Sequence, residues 1–161
     1  MLIIKAVFVS IIILIIGGVL GILISGNALM SEIKKQRKIS SKYLTFFTLY
    51  DEWLSMKQRG KSVKEYFDMY GYKSVAIYGM GKMGMRFYQE LRQEGINVSY
   101  VIDRNALHID VDIECLLPEG QFPMADAIVV TVVNDFKEIK DTLEAKVSYP
   151  VVSLEDIIPK A

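Results

Sequence analysis

The feature that most limits how this chain can fold is an uninterrupted apolar run near its N-terminus. From Ala6 to Ser25 there is no charged residue, and Ile, Leu, Val and Gly dominate. Twenty residues at the helical rise cover about 30 Å, the thickness of a bilayer hydrocarbon core, so the run predicts a transmembrane anchor within residues 1–26. A cleaved signal peptide is the alternative, with Gly26-Asn27-Ala28 supplying the small residues that a peptidase site requires. Against that alternative, the run exceeds a usual signal core and only Lys5 precedes it.

The flanking charges predict an orientation. Lys5 stands alone on one side, whereas Lys34, Lys35, Arg37, Lys38 and Lys42 follow on the other, so the positive-inside rule places the C-terminal part in the cytoplasm and the anchor in the inner membrane. Those basic residues would also be drawn to anionic headgroups, at about 1 kcal/mol each near the surface. Within the run, Gly17, Gly21 and Ser25 recur every four residues and share one helix face, which predicts a homodimer through close helix approach.

With the anchor removed, a connector over 27–72 and a domain over 73–161 remain. The connector has neither proline nor glycine from Asn27 to Arg59, so one long helix is expected. Tyr43, Phe46, Phe47, Tyr50, Trp53 and Leu54 mark an apolar stripe that is expected to pack on the chain's own domain. Gly60 ends the pattern, and Ser62 is placed to cap a short helix that ends near Gly71 and carries Val63, Tyr66 and Phe67 inward.

Charge and composition exclude several function classes. Nineteen basic and nineteen acidic residues cancel, which leaves no basic excess for a nucleic-acid partner. Cys115 is the only cysteine and His108 the only histidine, so neither a disulfide framework nor a Cys/His metal site is expected.

The chemistry-bearing segment starts at Ser74-Val75-Ala76-Ile77-Tyr78, a short buried strand that runs into Gly79-Met80-Gly81-Lys82-Met83-Gly84. An amphipathic helix with Phe87 and Leu91 follows and stops at Gly95. A second strand, Val98 to Ile102, ends on Asp103, which lies 19 positions after Gly84. Strand, G-x-G-x-x-G turn, helix, strand and terminal acid make one βαβ unit of the dinucleotide-binding type. In such a unit the first glycine makes the tight turn, the second admits a pyrophosphate, and the third lets helix and sheet approach. The terminal acid accepts from ribose hydroxyls. The candidate cofactor contacts are therefore Gly79, Met80, Gly81, Lys82, Met83, Gly84 and Asp103, with Thr131 at the end of a later strand. NAD or a nucleotide-sugar is the expected ligand.

Beyond Asp103 the pattern shortens. Arg104 to His108 leaves no room for a crossover helix, and Ile109, Val111 and Ile113 suggest a short, irregular third strand. Ala127 to Val132 reads as a buried fourth strand. Asn134 and Asp135 are placed to cap a helix through Leu143, Pro150 to Ser153 forms a fifth strand, and a helical turn closes at Leu154 to Ile158. Right-handed crossovers then predict a minimal α/β Rossmann-like parallel sheet in the order 3-2-1-4-5.

Trp53, Lys57, Gly60, Tyr66, Gly71-Tyr72-Lys73, Ile77 to Gly81, Ile102-Asp103 and Pro150 to Asp156 together resemble the small Rossmann-like domains encoded in bacterial capsule and cell-surface polysaccharide loci. The nucleotide half is similar to the N-terminal domain of sugar O-acyltransferases. The resemblance covers roughly residues 43–161 and implies a nucleotide or nucleotide-sugar ligand, with polysaccharide-biosynthesis enzymes as partners. The acyltransferase repeat domain is missing from it, so that activity is not implied. Two functions follow: a membrane-tethered nucleotide-binding module, or an oxidoreductase or sugar-modifying enzyme completed by a partner subunit. No substrate domain follows the βαβ unit and His108 has no evident partner, so no catalytic residue is assigned.

Overall fold

A computed structural model describes the backbone of residues 2–158; within its first helix, side-chain surroundings are described for 13–18, 26 and 28 onward. The chain divides into two compact units, 1–45 and 46–161, described separately below.

The first unit is helix throughout its described length, part of α1 (Leu2–Gln58). Among the described residues no helix is long and apolar enough to cross a membrane. The anchor expected from Ala6 to Ser25 falls mostly on 6–12 and 19–25, whose side chains lie outside the described residues. Gly21 and Ser25 of the expected dimer face are among them.

The second unit is built on five parallel strands in the order β3-β2-β1-β4-β5, the order expected from right-handed crossovers. The strands are β1 (Ser74–Tyr78), β2 (Asn97–Ile102), β3 (Cys115–Leu116), β4 (Ala127–Val130) and β5 (Val151–Ser153). The helices are α2 (Lys64–Tyr70), α3 (Lys82–Gln93), α4 (Phe136–Glu144) and α5 (Leu154–Ile157). The central strands are apolar in both directions because both faces are covered. Val75 and Ile77 of β1, with Ala127 and Val129 of β4, join Phe87 and Leu91 of α3 and Leu154 of α5 on one face. Ala76, Ile128 and Val130 pack with Ile139 and Leu143 of α4 on the other.

Several boundaries differ from expectation. Ile109, Val111 and Ile113 form no strand; they are half-buried against the first core, and the third strand is Cys115–Leu116, paired with Val101 and Ile102. Asp112 pins this connection to α3 by accepting from both Arg92 guanidinium contacts, at 2.9 and 3.0 Å, and from the Tyr88 hydroxyl. The fourth strand stops at Val130, and residues Val133–Asp135 form a 3-10 turn, so neither Asn134 nor Asp135 caps α4 through its side chain. Ser62 does accept from the Lys64 amide at 3.0 Å, and Gly71 closes α2 in the left-handed conformation.

The stripe on α1 is rotated from its expected phase. From Phe46 onward the residues facing the sheet unit are Leu49, Trp53 and Met56, with Phe46 half-buried, whereas Tyr43, Phe47, Tyr50 and Leu54 are exposed. Leu49, Trp53 and Met56 cover the first face together with Val63 and Phe67. Trp53 lies edge-on to Phe87, with ring centroids 6.1 Å apart, and its indole N–H donates to Glu90 at 2.8 Å. Glu90 is 8 % exposed in the middle of the apolar face of α3. Its other oxygen accepts from Lys57 at 3.0 Å, and that hydrogen bond is the main cause raising the Lys57 pKa. A buried carboxylate satisfied from both sides in this way costs little to retain and much to disrupt.

Glu90→Leu leaves the Trp53 indole N–H without a partner inside the core and is expected to lower unfolding stability by about 1.5–3 kcal/mol. Glu90→Gln keeps an acceptor for Trp53 and should lose less. Urea unfolding followed by tryptophan fluorescence measures both, and equal losses would place the effect elsewhere.

Asp126 gives a pH dependence of known sign. Its carboxylate accepts from the Lys73 and Ser74 amides at 2.7 and 2.8 Å, which fixes the start of β1 and holds its pKa below the ordinary 3.8. A carboxyl with a depressed folded-state pKa contributes stability above its unfolded pKa and loses it as pH falls through the folded value. The melting-temperature gap between wild type and Asp126→Asn should therefore be full at neutral pH and close as pH drops below 3.8. A pH-independent gap would contradict the assignment.

Candidate functional site

The carboxyl end of β1 lies between β2 and β4, where the chain, having moved outward to β3, returns to start the other half of the sheet. In open α/β sheets this switch point opens the crevice in which ligands bind. The G-x-G-x-x-G turn occupies it.

The three glycines answer to different constraints. Gly79 leaves β1 with φ +93°, a conformation side chains disfavour, and a Cβ there would stand 2.5 Å from Val132 Cγ2. At Gly84, on the first turn of α3, a Cβ would overlap the Gly79 carbonyl oxygen and lie 2.9 Å from its carbon. Gly81 is different. Its φ of −65° and ψ of −169° suit any residue, and a Cβ would meet nothing within 4 Å. Neither backbone nor packing explains the missing side chain.

Gly81 is also the N-cap of α3, and no side chain caps that end. Leading helical N–H groups without intrahelical partners, at the positive end of the dipole, suit an anion. Asp103 closes the other side. One carboxylate oxygen accepts from the Met80 amide at 2.7 Å and the other from the Asn105 amide at 2.8 Å. The acid thus ties the glycine turn to the end of β2 while keeping acceptor capacity for a further donor on each oxygen.

The remaining candidates separate into core and surface. The side chains of Met80 and Met83 are buried in the first core, and Lys82 is exposed beside Gly81. Thr131, 3 % exposed, donates to the Gly79 carbonyl at 2.7 Å and is 3.2 Å from that of Tyr78, which locks the turn against the end of β4. The outward-facing set is therefore Gly81, Lys82 and Asp103; Gly79, Gly84 and Thr131 build the turn. Val132, against Gly79, and Glu90, beneath α3, were not among the sequence candidates. A glutamate three residues after Phe87 on an apolar helix face was the available signal for Glu90.

Two open depressions of about 360 and 630 Å³ lie away from the turn, around Tyr88, Arg92 and Asp112. They flank the pin that holds the β2–β3 connection. Among the described residues no group of three His, Cys, Asp or Glu could hold a metal ion.

The fold and turn define a Rossmann-like parallel α/β domain. In comparisons with known proteins, no family model, no curated protein and no solved structure matches the chain.

Gly84→Ala should abolish the cooperative thermal transition or lower it sharply, because backbone must move to admit the methyl group. Gly81→Ala should melt as wild type or slightly above it. Circular dichroism melts of the two variants test this assignment, and a severe loss for Gly81→Ala would make that glycine structural.

Proposed function

We propose that this chain is a membrane-tethered nucleotide-binding module whose ligand is NAD(H) or a nucleotide-sugar, acting beside enzymes of bacterial cell-surface polysaccharide biosynthesis. The observation that carries the binding reading is Gly81, a glycine without a conformational or packing reason at the uncapped start of α3. A pyrophosphate approaching there would gain leading N–H groups and, from Lys82, a nearby cation. Asp103 would accept from the ribose hydroxyls and disfavour a 2′-phosphate, which favours NAD or a nucleotide-sugar over NADP.

The apolar run from Ala6 to Ser25 and the basic residues after it support a single-pass anchor with the C-terminal unit in the cytoplasm, where nucleotides are concentrated. Gly17, Gly21 and Ser25 would let two such anchors approach. The polysaccharide context rests on the resemblance of residues 43–161.

Calorimetric titration with NAD, NADP and nucleotide-sugars distinguishes the two arms of the site. Gly81→Val should weaken every diphosphate ligand while the fold survives, since its backbone angles suit a branched residue. Asp103→Ala should cost about 1.5–3 kcal/mol, or about ten- to more than a hundredfold in affinity, for ligands with free ribose hydroxyls. Absence of binding by wild type, or wild-type affinity in both variants, would refute the reading. For topology, a reporter enzyme active only outside the cytoplasm should stay silent when fused after Ala161; strong activity would reverse the orientation.

A further inference from the structure

Every large apolar side chain exposed on α1 between Leu29 and Leu54 falls at or beside one narrow seam. Leu29, Ile33, Tyr43, Phe47, Tyr50 and Leu54 are exposed, and their spacing in sequence fits a seven-residue repeat with alternating steps of four and three. Taking Leu29 as position d and Ile33 as position a, the series continues through Gln36, Ser40, Tyr43, Phe47 and Tyr50 to Leu54. Met30, Ile39 and Leu44, also exposed, occupy the flanking e and g positions. Between Leu29 and Thr45 the outer positions b, c and f hold only serine, lysine and threonine.

This pattern specifies a helical occupant. A strict seven-residue repeat drifts by about 20° per heptad around a straight helix, so a flat partner such as a lipid surface would lose the stripe over its nearly four heptads. Two supercoiling helices keep it in register, and three to four heptads suffice for a coiled coil. The polar positions favour self-pairing in parallel: Gln36 would face Gln36 of a second copy, and Ser40 would face Ser40. Glu32, at g, would lie opposite Arg37 at e of the second copy, five residues on, which is the pairing that sets orientation in parallel coils. On its own helix Glu32 already accepts from the Gln36 amide at 2.8 Å, which holds it at the seam.

We infer that α1 forms a parallel, in-register coiled coil with α1 of a second copy of this chain through residues 29–54. The interface is separate from the Gly17, Gly21 and Ser25 face and does not require nucleotide binding.

The test uses the full chain in detergent, with Cys115→Ser to remove the native thiol. Ser40→Cys, in the seam, should give an oxidative dimer at a yield at least about tenfold above Lys38→Cys, on the outer face. Ile33→Glu should weaken the dimer seen by light scattering by more than about tenfold, with helicity by circular dichroism retained. Gly21→Ile should leave both readouts unchanged. Equal crosslinking at 40 and 38 would overturn the inference. So would loss of the dimer in Gly21→Ile but not in Ile33→Glu, which would assign association to the apolar run. A monomer throughout would also overturn it and leave the stripe to a lipid surface or a different protein.

Discussion

The close approach of the Gly79 carbonyl to Gly84 is the constraint around which the sheet unit is organised. Because no side chain stands between them, α3 begins directly over the end of β1 and leaves no space for a Cβ at Gly84. That carbonyl also accepts from Thr131, which carries the end of β4 to the same point, while the Met80 amide donates to Asp103 at the end of β2. Three adjacent strands thus terminate on one turn. The helix start is held where its N–H groups face outward from the sheet, and the position of Gly81 follows from its neighbours rather than from contacts of its own.

So small a sheet must find its burial elsewhere. β3 has only two residues and β5 three, and the β2–β3 connection carries a single 3-10 turn in place of a crossover helix. The face beneath α3 is completed by Leu49, Trp53 and Met56 from the end of α1 and by Val63 and Phe67 around α2. A domain with few strands exposes a large fraction of its surface, so each added aromatic contributes disproportionately to the core. Glu90 fits this picture as a docking group: its hydrogen bonds to Trp53 and Lys57 fix the phase in which the end of α1 meets α3, where apolar contacts alone would tolerate rotation.

The parts of this fold legible in the sequence are those specified by local chemistry. β1, the glycine turn, α3 and β2 follow one another with little interruption, and each carries its own signal, so the first βαβ unit and the strand order emerge together. The third strand was not legible because its pairing with β2 spans only Cys115 and Leu116, fewer residues than any periodicity needs. The alternation of Ile109, Val111 and Ile113 reports packing against the core instead of strand pairing. Among the site residues, type and spacing identified the three glycines and Asp103. They could not separate the glycine that faces outward from the two that close the turn, because that difference lies in φ and in what a Cβ would touch.

The misplaced stripe on α1 has a related cause. From Phe46 to Leu54 apolar residues occupy two faces, one turned to the sheet unit through Leu49 and Trp53 and one exposed through Phe47, Tyr50 and Leu54. Read as a single stripe, the aromatics dominate and the phase falls between the two. Before Phe46, where no sheet lies alongside in sequence to demand a second apolar face, the outer positions are polar and only the seven-residue seam remains. A helix that had only to dock on its own domain would have no use for Phe47 at 71 % exposure or Tyr43 at 69 %. Large apolar groups left in water on a regular repeat, opposite a face rich in lysine, are the mark of a surface shaped for association.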